Sequence, residues 1–461
     1  MVCMLRDKWL SKDARTFLTC RTDGLPGTKS TCFSATKRSR YTDKMRFTLL
    51  FLLLSVPPSS FIKGAETEQD FIWHFKKLPL IVGQRTFRLE SPKFQAEIKL
   101  ELNGTCGIEC QKTLPRPSRS DLEDCLSYET IFENGTRLRT DVNIQGSLPQ
   151  VKSENATSVT GRLRRKRQVY GTDSRFSISD KHFMTNYPFS TAVKISSGCS
   201  GVLISPKHVL TAAHCVHDGK DYIKEARKLK VGLLKIRSKG GGKNRRGSKQ
   251  RKKGSSDAQD PRTPVAKSLN KRSVEGNKNR KGSRKNRGES QGNPSFQWTR
   301  VKKTHIPNGW LKGVTAKDVA LDYDYAVLEL KRPQKKKYMD LGISPTTQHM
   351  PGNRVHFSGF DSDRPGQLVY RFCGVRDESS DLFYQHCDAE PGSSGSGIYI
   401  RLREPQSKKW KRKIVAVYSG HQWVDLNGGQ QDYNVAVRIT PLKYAQICSW
   451  IHGNAADCTH A

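Results

Sequence analysis

Residues 388–400 read DAEPGSSGSGIYI, with glycines at 392, 395 and 397 and serines at 393, 394 and 396 between a polar run and an apolar one. Such a stretch is either a solvated turn or a tight loop that presents one hydroxyl as a nucleophile. The second reading has further requirements. Acyl transfer needs an imidazole to take the hydroxyl proton and a carboxylate to hold that imidazole in the right tautomer. It also needs backbone N–H donors for the oxyanion, and glycine beside the nucleophile lets the chain turn to supply them. Two other segments meet the first requirements. SGCSGVLISPKHVLTAAHCV (residues 197–216) carries His214, and DYDYAVLEL (residues 322–330) sets Asp322 and Asp324 at the head of an apolar strand. Alone, such a His is usually a surface or satisfied core residue and such an Asp a turn former. The weight lies on the set.

The rest of the chain bounds the setting. It has 461 residues, a formal net charge of +38, 35% hydrophobic residues and twelve cysteines. Two or three domains fit that length, but the low apolar content requires polar linker or tail as well. The run Phe47–Val56 (FTLLFLLLSV) follows Lys44-Met45-Arg46 and precedes Pro57-Pro58-Ser59-Ser60. It is short of the roughly 20 residues a bilayer span needs and has the basic start, apolar centre and small-residue end of a secretory signal peptide. We read residues 45–64 as that signal, Met45 as the working start and residues 1–44 as an upstream extension. The sequons at Asn103, Asn134 and Asn155 agree with export as glycosylation acceptors. The nine cysteines beyond the extension then meet an oxidising compartment. No membrane partner is expected.

Arg164-Arg165-Lys166-Arg167 closes a mixed, charged region. In the secretory pathway it reads as a proprotein convertase site, with cleavage between Arg167 and Gln168; otherwise it is a solvated patch. Residues 65–167 would then be a glycosylated prosegment that cleavage releases, and residues 168–461 the mature domain. From about 238 to 293 the chain is rich in Lys, Arg, Gly and Ser and nearly free of aliphatic residues. It cannot bury enough apolar area to offset its ordering entropy, so a disordered insertion is expected. Its charge suits a sulfated glycosaminoglycan outside the cell, unless it is only a solvated spacer. Without interleaved aromatics for base stacking, a nucleic-acid partner is not expected.

Elsewhere the mature region reads as all-β. Short apolar stretches at 191–195, 202–204, 325–330, 355–357, 397–400, 414–418 and 434–439 alternate with Gly, Asn, Asp and Pro clusters. Only Pro441–His452 has helical spacing, with Tyr444, Ile447, Cys448 and Ile451 able to share a face.

LTAAHC with a second cysteine sixteen residues upstream, DYAVLEL, PGSSGSG and the closing NVAVRITPLKYAQICSWI together resemble the trypsin-like serine protease family. The resemblance covers about residues 168–461 less the insertion. With YSGHQW and the two basic segments added, it is closest to the secreted vertebrate group of serine proteases 23 and 35. It implies two antiparallel six-stranded β-barrels with a C-terminal helix, preceded by a prosegment, and no cofactor or metal. It implies His214 as general base, Asp324 as its orienting carboxylate, with Asp322 the rival, and Ser394 as nucleophile. Gly392 and Ser394 would give the oxyanion N–H groups. Asp388, six residues before Ser394, would stand where trypsin-like members bind Arg or Lys, and His421 would lie near that pocket or in a surface loop. Cys199–Cys215 matches the family's bridge at the histidine loop; Cys373–Cys387 and Cys448–Cys458 are the local pairs among fifteen connectivities. Cys106, Cys110 and Cys125 leave the prosegment an odd number.

Two departures stand out. The trypsin group has an aspartate immediately before the nucleophile, paired with the amine freed on activation; here that residue is Ser393. The new terminus would be Gln168-Val169-Tyr170-Gly171, and an N-terminal Gln cyclises and loses its charge. GSSGSG is closer to the bacterial glutamyl endopeptidase branch. Cleavage is therefore expected to leave the oxyanion loop as it was. Some members of the group lack activity because threonine replaces the nucleophile, whereas this chain has Ser394. Two functions follow: a secreted serine endopeptidase acting on a protein substrate or meeting an inhibitor, or an inactive homologue that binds glycosaminoglycan or protein. Fold and triad alone do not prove turnover.

Overall fold

A computed structural model describes residues 78–98, 108, 111, 115–148, 172–235, 295–312, 321–350, 352, 354–403, 409–426 and 429–458. The signal segment, the tetrabasic run with Gln168, Asn103, Asn155, Cys106, Cys110 and the basic insertion lie outside them. No helix among the described residues is long and apolar enough to cross a membrane.

The first half begins with β1 (Leu80–Leu89), α1 (Arg119–Leu126), β2 (Tyr128–Phe132) and β3 (Arg137–Gln145). After β4 (Phe176–Ile178) and α2 (Lys181–Met184) come β5 (Ala192–Ile195), β6 (Ser200–Leu203), β7 (His208–Thr211), β8 (Lys230–Lys235), β9 (Ser295–Pro307), α3 (Asn308–Lys312) and β10 (Ala326–Leu330). Strands β9-β10-β7-β6-β5-β8 are hydrogen-bonded in that order, and β8 pairs with β9 to close a six-stranded barrel. The second half holds β11 (Asp340–Leu341), β12 (Val355–Gly359), β13 (Leu368–Cys373), β14 (Val375–Glu378), β15 (Leu382–Gln385), β16 (Gly397–Arg403), β17 (Trp410–Leu426) and β18 (Gly429–Arg438). These form a second sheet in the order β14-β15-β18-β17-β16-β12-β13-β4, with β11 beside β17. The expected all-β, trypsin-like class is what the chain adopts.

Pro441–His452 is helical (α4), capped by the Thr440 side chain at its start and by left-handed Gly453 at its end. Its buried face includes Ile447 and Cys448 of the expected set and reaches beyond it. Lys443, Gln446, Ile447 and Trp450 point inward with Cys448, while Tyr444 and Ile451 are only partly covered. Two of those inward residues are polar, which hydropathy spacing cannot reveal. Both have partners: Lys443 Nζ donates to Asp381 at 2.6 Å, and Gln446 Nε2 donates to the Leu126 carbonyl.

The larger surprise lies before the tetrabasic run. Residues 80–145 add three strands to the barrel sheet, in the order β1-β3-β2-β9. Strand β2 pairs with β9 from Tyr128↔Pro307 to Phe132↔Lys303. A Ser118–Asp121 capping box starts α1, and Asn134-Gly135 makes the β2–β3 turn with Asn134 exposed. Ile81, Leu126, Ile131, Val142 and Ile144 join the same buried cluster as Val301, Ile306, Tyr325 and Trp450. Each such side chain taken out of water contributes about 1.5–3 kcal/mol, and the backbone bonds to β9 add register. A segment expected to be released is thus built into the fold. Cutting the chain between residues 149 and 171 should leave both pieces co-eluting in native size exclusion and separating only in denaturant. Two pieces eluting apart under native conditions would contradict this.

Candidate active site

His214 lies in a short turn just after β7, and Cys199–Cys215 ties that turn to the start of β6, with S–S 2.08 Å. Asp324 lies two residues before β10, which pairs with β7 from Ala326↔Thr211 to Glu329↔His208. The ladder therefore brings together two residues 110 apart in sequence. Asp324 is fully buried; its Oδ2 lies 2.8 Å from His214 Nδ1, and its Oδ1 accepts the His214 backbone N–H at 2.8 Å. Ser419 Oγ, from β17 in the second sheet, donates to the same Oδ2. Burial alone would raise the Asp324 carboxyl, but the His214 charge and the hydrogen bonds from His214 and Ser419 outweigh it and hold it below its ordinary value. This is the arrangement that fixes an imidazole tautomer; the ring is buried, with Nε2 3.8 Å from Cys215 Sγ.

The quoted loop folds tightly between the two halves. Gly392 and Gly395 have φ of +98° and +83°. A Cβ at Gly395 would stand 2.1 Å from Thr211 Oγ1, and one at Gly392 would stand 2.6 Å from the Phe360 carbonyl. No L side chain fits either place, so these glycines are structural requirements rather than slack. Ser200 Oγ donates to the Gly392 carbonyl at 2.7 Å and accepts the Phe360 N–H at 2.8 Å, and the Gly395 N–H donates to the Tyr418 carbonyl at 2.7 Å. Ser394 is partly exposed, whereas Ser393 and Ser396 are buried. Among the described residues no hydrogen bond joins the Ser394 hydroxyl to His214; such bonds are often long without substrate and tighten on binding. The Cys199, His214 and Cys215 donor atoms cluster within 4.8 Å, but both sulfurs are in the disulfide and offer no thiolate to a metal.

The structure separates the two candidate aspartates. Asp322 Oδ1 is sealed from water without a partner, and burial followed by the nearby Asp381 pushes its carboxyl up to about 8 against the pull of Lys443. Asp388 is buried, and its Oδ2 accepts both the backbone N–H and the hydroxyl of Ser174 at 2.7 Å. The carboxylate expected to receive Arg or Lys is engaged from within the chain. His421 is neither in a surface loop nor free; it is buried in the β17–β18 hairpin and bonded to Asp432. Cys373–Cys387 and Cys448–Cys458 are bonded, and Cys125 is a free, half-buried thiol. Sequence reading missed Ser200, Thr211 and Ser419; the signal was there in YSGHQW, where a serine precedes the glycine.

For Asp322 the sign is set by a folded value above the unfolded one. Protonation favours the folded state, so stability falls as pH climbs from about 4 to about 8. Asp322→Asn should raise the melting temperature more at pH 8 than at pH 5; an equal change at both would refute the shift.

The family model for trypsin matches residues 179–262. The chain is similar to inactive serine protease 35 of Mus musculus, at 59% identity over 416 residues, covering 90% of this chain and 100% of that one. It is 62% identical to inactive serine protease 35 of Homo sapiens, covering 89% and 99%, and 50% identical to serine protease 23 of Homo sapiens, covering 89% and 97%. Among solved structures it is similar to a Glu endopeptidase in complex with MPD, with TM-score 0.38, 17% identity, and coverage of 62% of this chain and 100% of that one, a likeness too slight to argue from. With full-length relatives at this identity, the chain belongs to the trypsin-like serine protease family, in the group of serine proteases 35 and 23.

Proposed function

We propose that the chain is a secreted serine endopeptidase in which Ser394 is the nucleophile, His214 the general base and Asp324 its orienting carboxylate. The observation that supports this best is the buried Asp324, bonded at once to the His214 ring, the His214 backbone and Ser419 beside a loop that only glycine permits. The Ser394 oxygen attacks the peptide carbonyl carbon while His214 Nε2 takes its proton. The Gly392 and Ser394 N–H groups hold the oxyanion, a contribution of about 10²–10³ in rate per donor. His214 then gives the proton to the leaving amine, and water hydrolyses the acyl-enzyme by the same route. Secretion through residues 45–64, glycosylation at Asn103, Asn134 and Asn155, and cleavage after Arg167 belong to this reading. With the strands of residues 80–145 paired to the barrel, cleavage would cut the chain without releasing them.

A second reading, a non-catalytic binding module, is supported by two observations. The relatives at 59–62% identity carry the word inactive in their names. And a cavity of about 440 Å³ on the barrel is lined by Arg227, Lys228, Lys230, Arg300, Lys302 and Lys303, beside the strands that flank the basic insertion. Sulfated glycosaminoglycan matches that charge.

Active-site labelling separates the two. A fluorophosphonate should label the purified chain, and Ser394→Ala should lose both label and peptidase activity. Absence of label on the folded wild type would leave only the binding module. For the surface, retention on heparin should weaken as salt rises and drop on deletion of residues 239–290; unchanged elution would remove glycosaminoglycan from the reading.

A further inference from the structure

The residue before Ser394 is Ser393, buried and neutral, its hydroxyl donated to the Glu390 carbonyl at 2.6 Å. Ser393 therefore offers no carboxylate to a charged amino terminus. Yet the loop is folded, and its support comes from elsewhere. Arg175, with 4% of its side chain exposed, donates to Asp361 Oδ2 at 2.8 Å, to both oxygens of Asp363 at 3.0 and 2.7 Å, and to both oxygens of Asp173 at 3.0 and 2.9 Å. Asp361 is fully buried and also takes a guanidinium bond from the buried Arg371 of β13.

Asp361 sits between two residues that touch the nucleophile loop. The Phe360 carbonyl packs against Gly392 where a Cβ would lie, and the Ser362 N–H donates to the Pro391 carbonyl at 2.7 Å. One residue before Arg175, Ser174 grips Asp388 on the other approach to the same loop. Residues 173–175 thus hold residues 361 and 388, which bracket the oxyanion peptide.

We propose that Arg175 is a positioning residue that does by side chain what the freed amine does in trypsin-like enzymes: through Asp361 it fixes the 391–394 loop, so that order at Ser394 does not depend on cleavage after Arg167. This rests on the protease reading for its consequence but not for its geometry. Breaking buried ion pairs is costly, and loss of Arg175 takes from the buried Asp361 one of its two guanidinium partners and from Asp363 both of its short guanidinium bonds. Removing only the guanidinium should therefore disorder the segment that Asp361 belongs to, beyond the loss of one contact.

The test uses the full chain in four forms: wild type, uncut Arg167→Ala, Arg175→Gln and Arg175→Lys. Each is read for fluorophosphonate labelling rate, for hydrogen exchange of the 391–396 amides and for melting temperature. The uncut form should label as fast as the cut wild type. Arg175→Gln should label on the order of 100-fold slower, the scale of a lost oxyanion donor, and its loop amides should exchange at least about tenfold faster while β10 and α4 amides stay protected. Arg175→Lys should recover part of both. If Arg175→Gln fails to fold, Arg175→Lys, which keeps the charge but not the five-bond fork, is read in its place and should label more slowly than wild type with faster loop exchange; labelling at the wild-type rate there overturns the proposal equally. Labelling at the wild-type rate in a folded Arg175→Gln chain, or labelling that requires the Arg167 cut, overturns the proposal. If no form labels, the protease reading fails and the exchange data decide: faster loop exchange in Arg175→Gln keeps the latch, unchanged exchange removes it.

Discussion

The two halves of this molecule meet where bare glycine backbone lies against the first barrel. Gly395 and Gly397 press against Thr211, Ser200 and Val202 of the first barrel so closely that a Cβ at either would fall within 2.1–2.3 Å of an atom already there. Close packing at protein density leaves no slack to absorb a methyl group at such a seam. Across that seam Ser419 of one half reaches the Asp324 that holds His214 in the other, and the Ser394 carbonyl accepts the Ser200 N–H at 2.8 Å.

Around the seam, charge is handled by partnership rather than by exposure. Asp324 carries its charge fully buried because His214 and Ser419 supply hydrogen bonds. Asp322, two residues away and without such bonds, is pushed the opposite way. The same chemistry gives opposite results according to partners, which is why neighbouring aspartates cannot be ranked by spacing to the strand alone. Arg175, Asp361 and Arg371 repeat the theme on a larger scale, with three ionised groups out of water and bonded to one another. Such a cluster is poor at adding stability but good at specifying one arrangement, since every alternative strands a charge.

The strands at 80–145 change how the chain is divided. An open edge on β9 would invite pairing with another molecule, and β2 covers it from within the same chain. Thr130 Oγ1 meets His305 Nδ1 at 2.9 Å, and Asn308 donates its N–H to the Ser127 carbonyl at 2.6 Å. That second bond anchors the turn whose Trp310 ring lies 6.5 Å from the His214 ring. The early segment therefore contributes to the walls of the site as well as to the barrel.

By itself the sequence determined the all-β class, the three segments around His214, Asp324 and Ser394, and the terminal helix, since glycine placement, strand-length apolar runs and local cysteine spacing are short-range properties. The strands at 80–145 escaped notice although Leu138, Thr140, Val142 and Ile144 alternate with polar residues in β3, because nothing local shows that β2 will pair with the distant β9 or that Arg137 and Arg139 will find Glu129, Asp124 and Asp141. The occupation of Asp388 by Ser174, the burial of His421 and the Arg175–Asp361 pair, 186 residues apart, were likewise decided by tertiary structure. A residue's type announces what bonds it can make; only the folded chain decides which partner is near enough to take them.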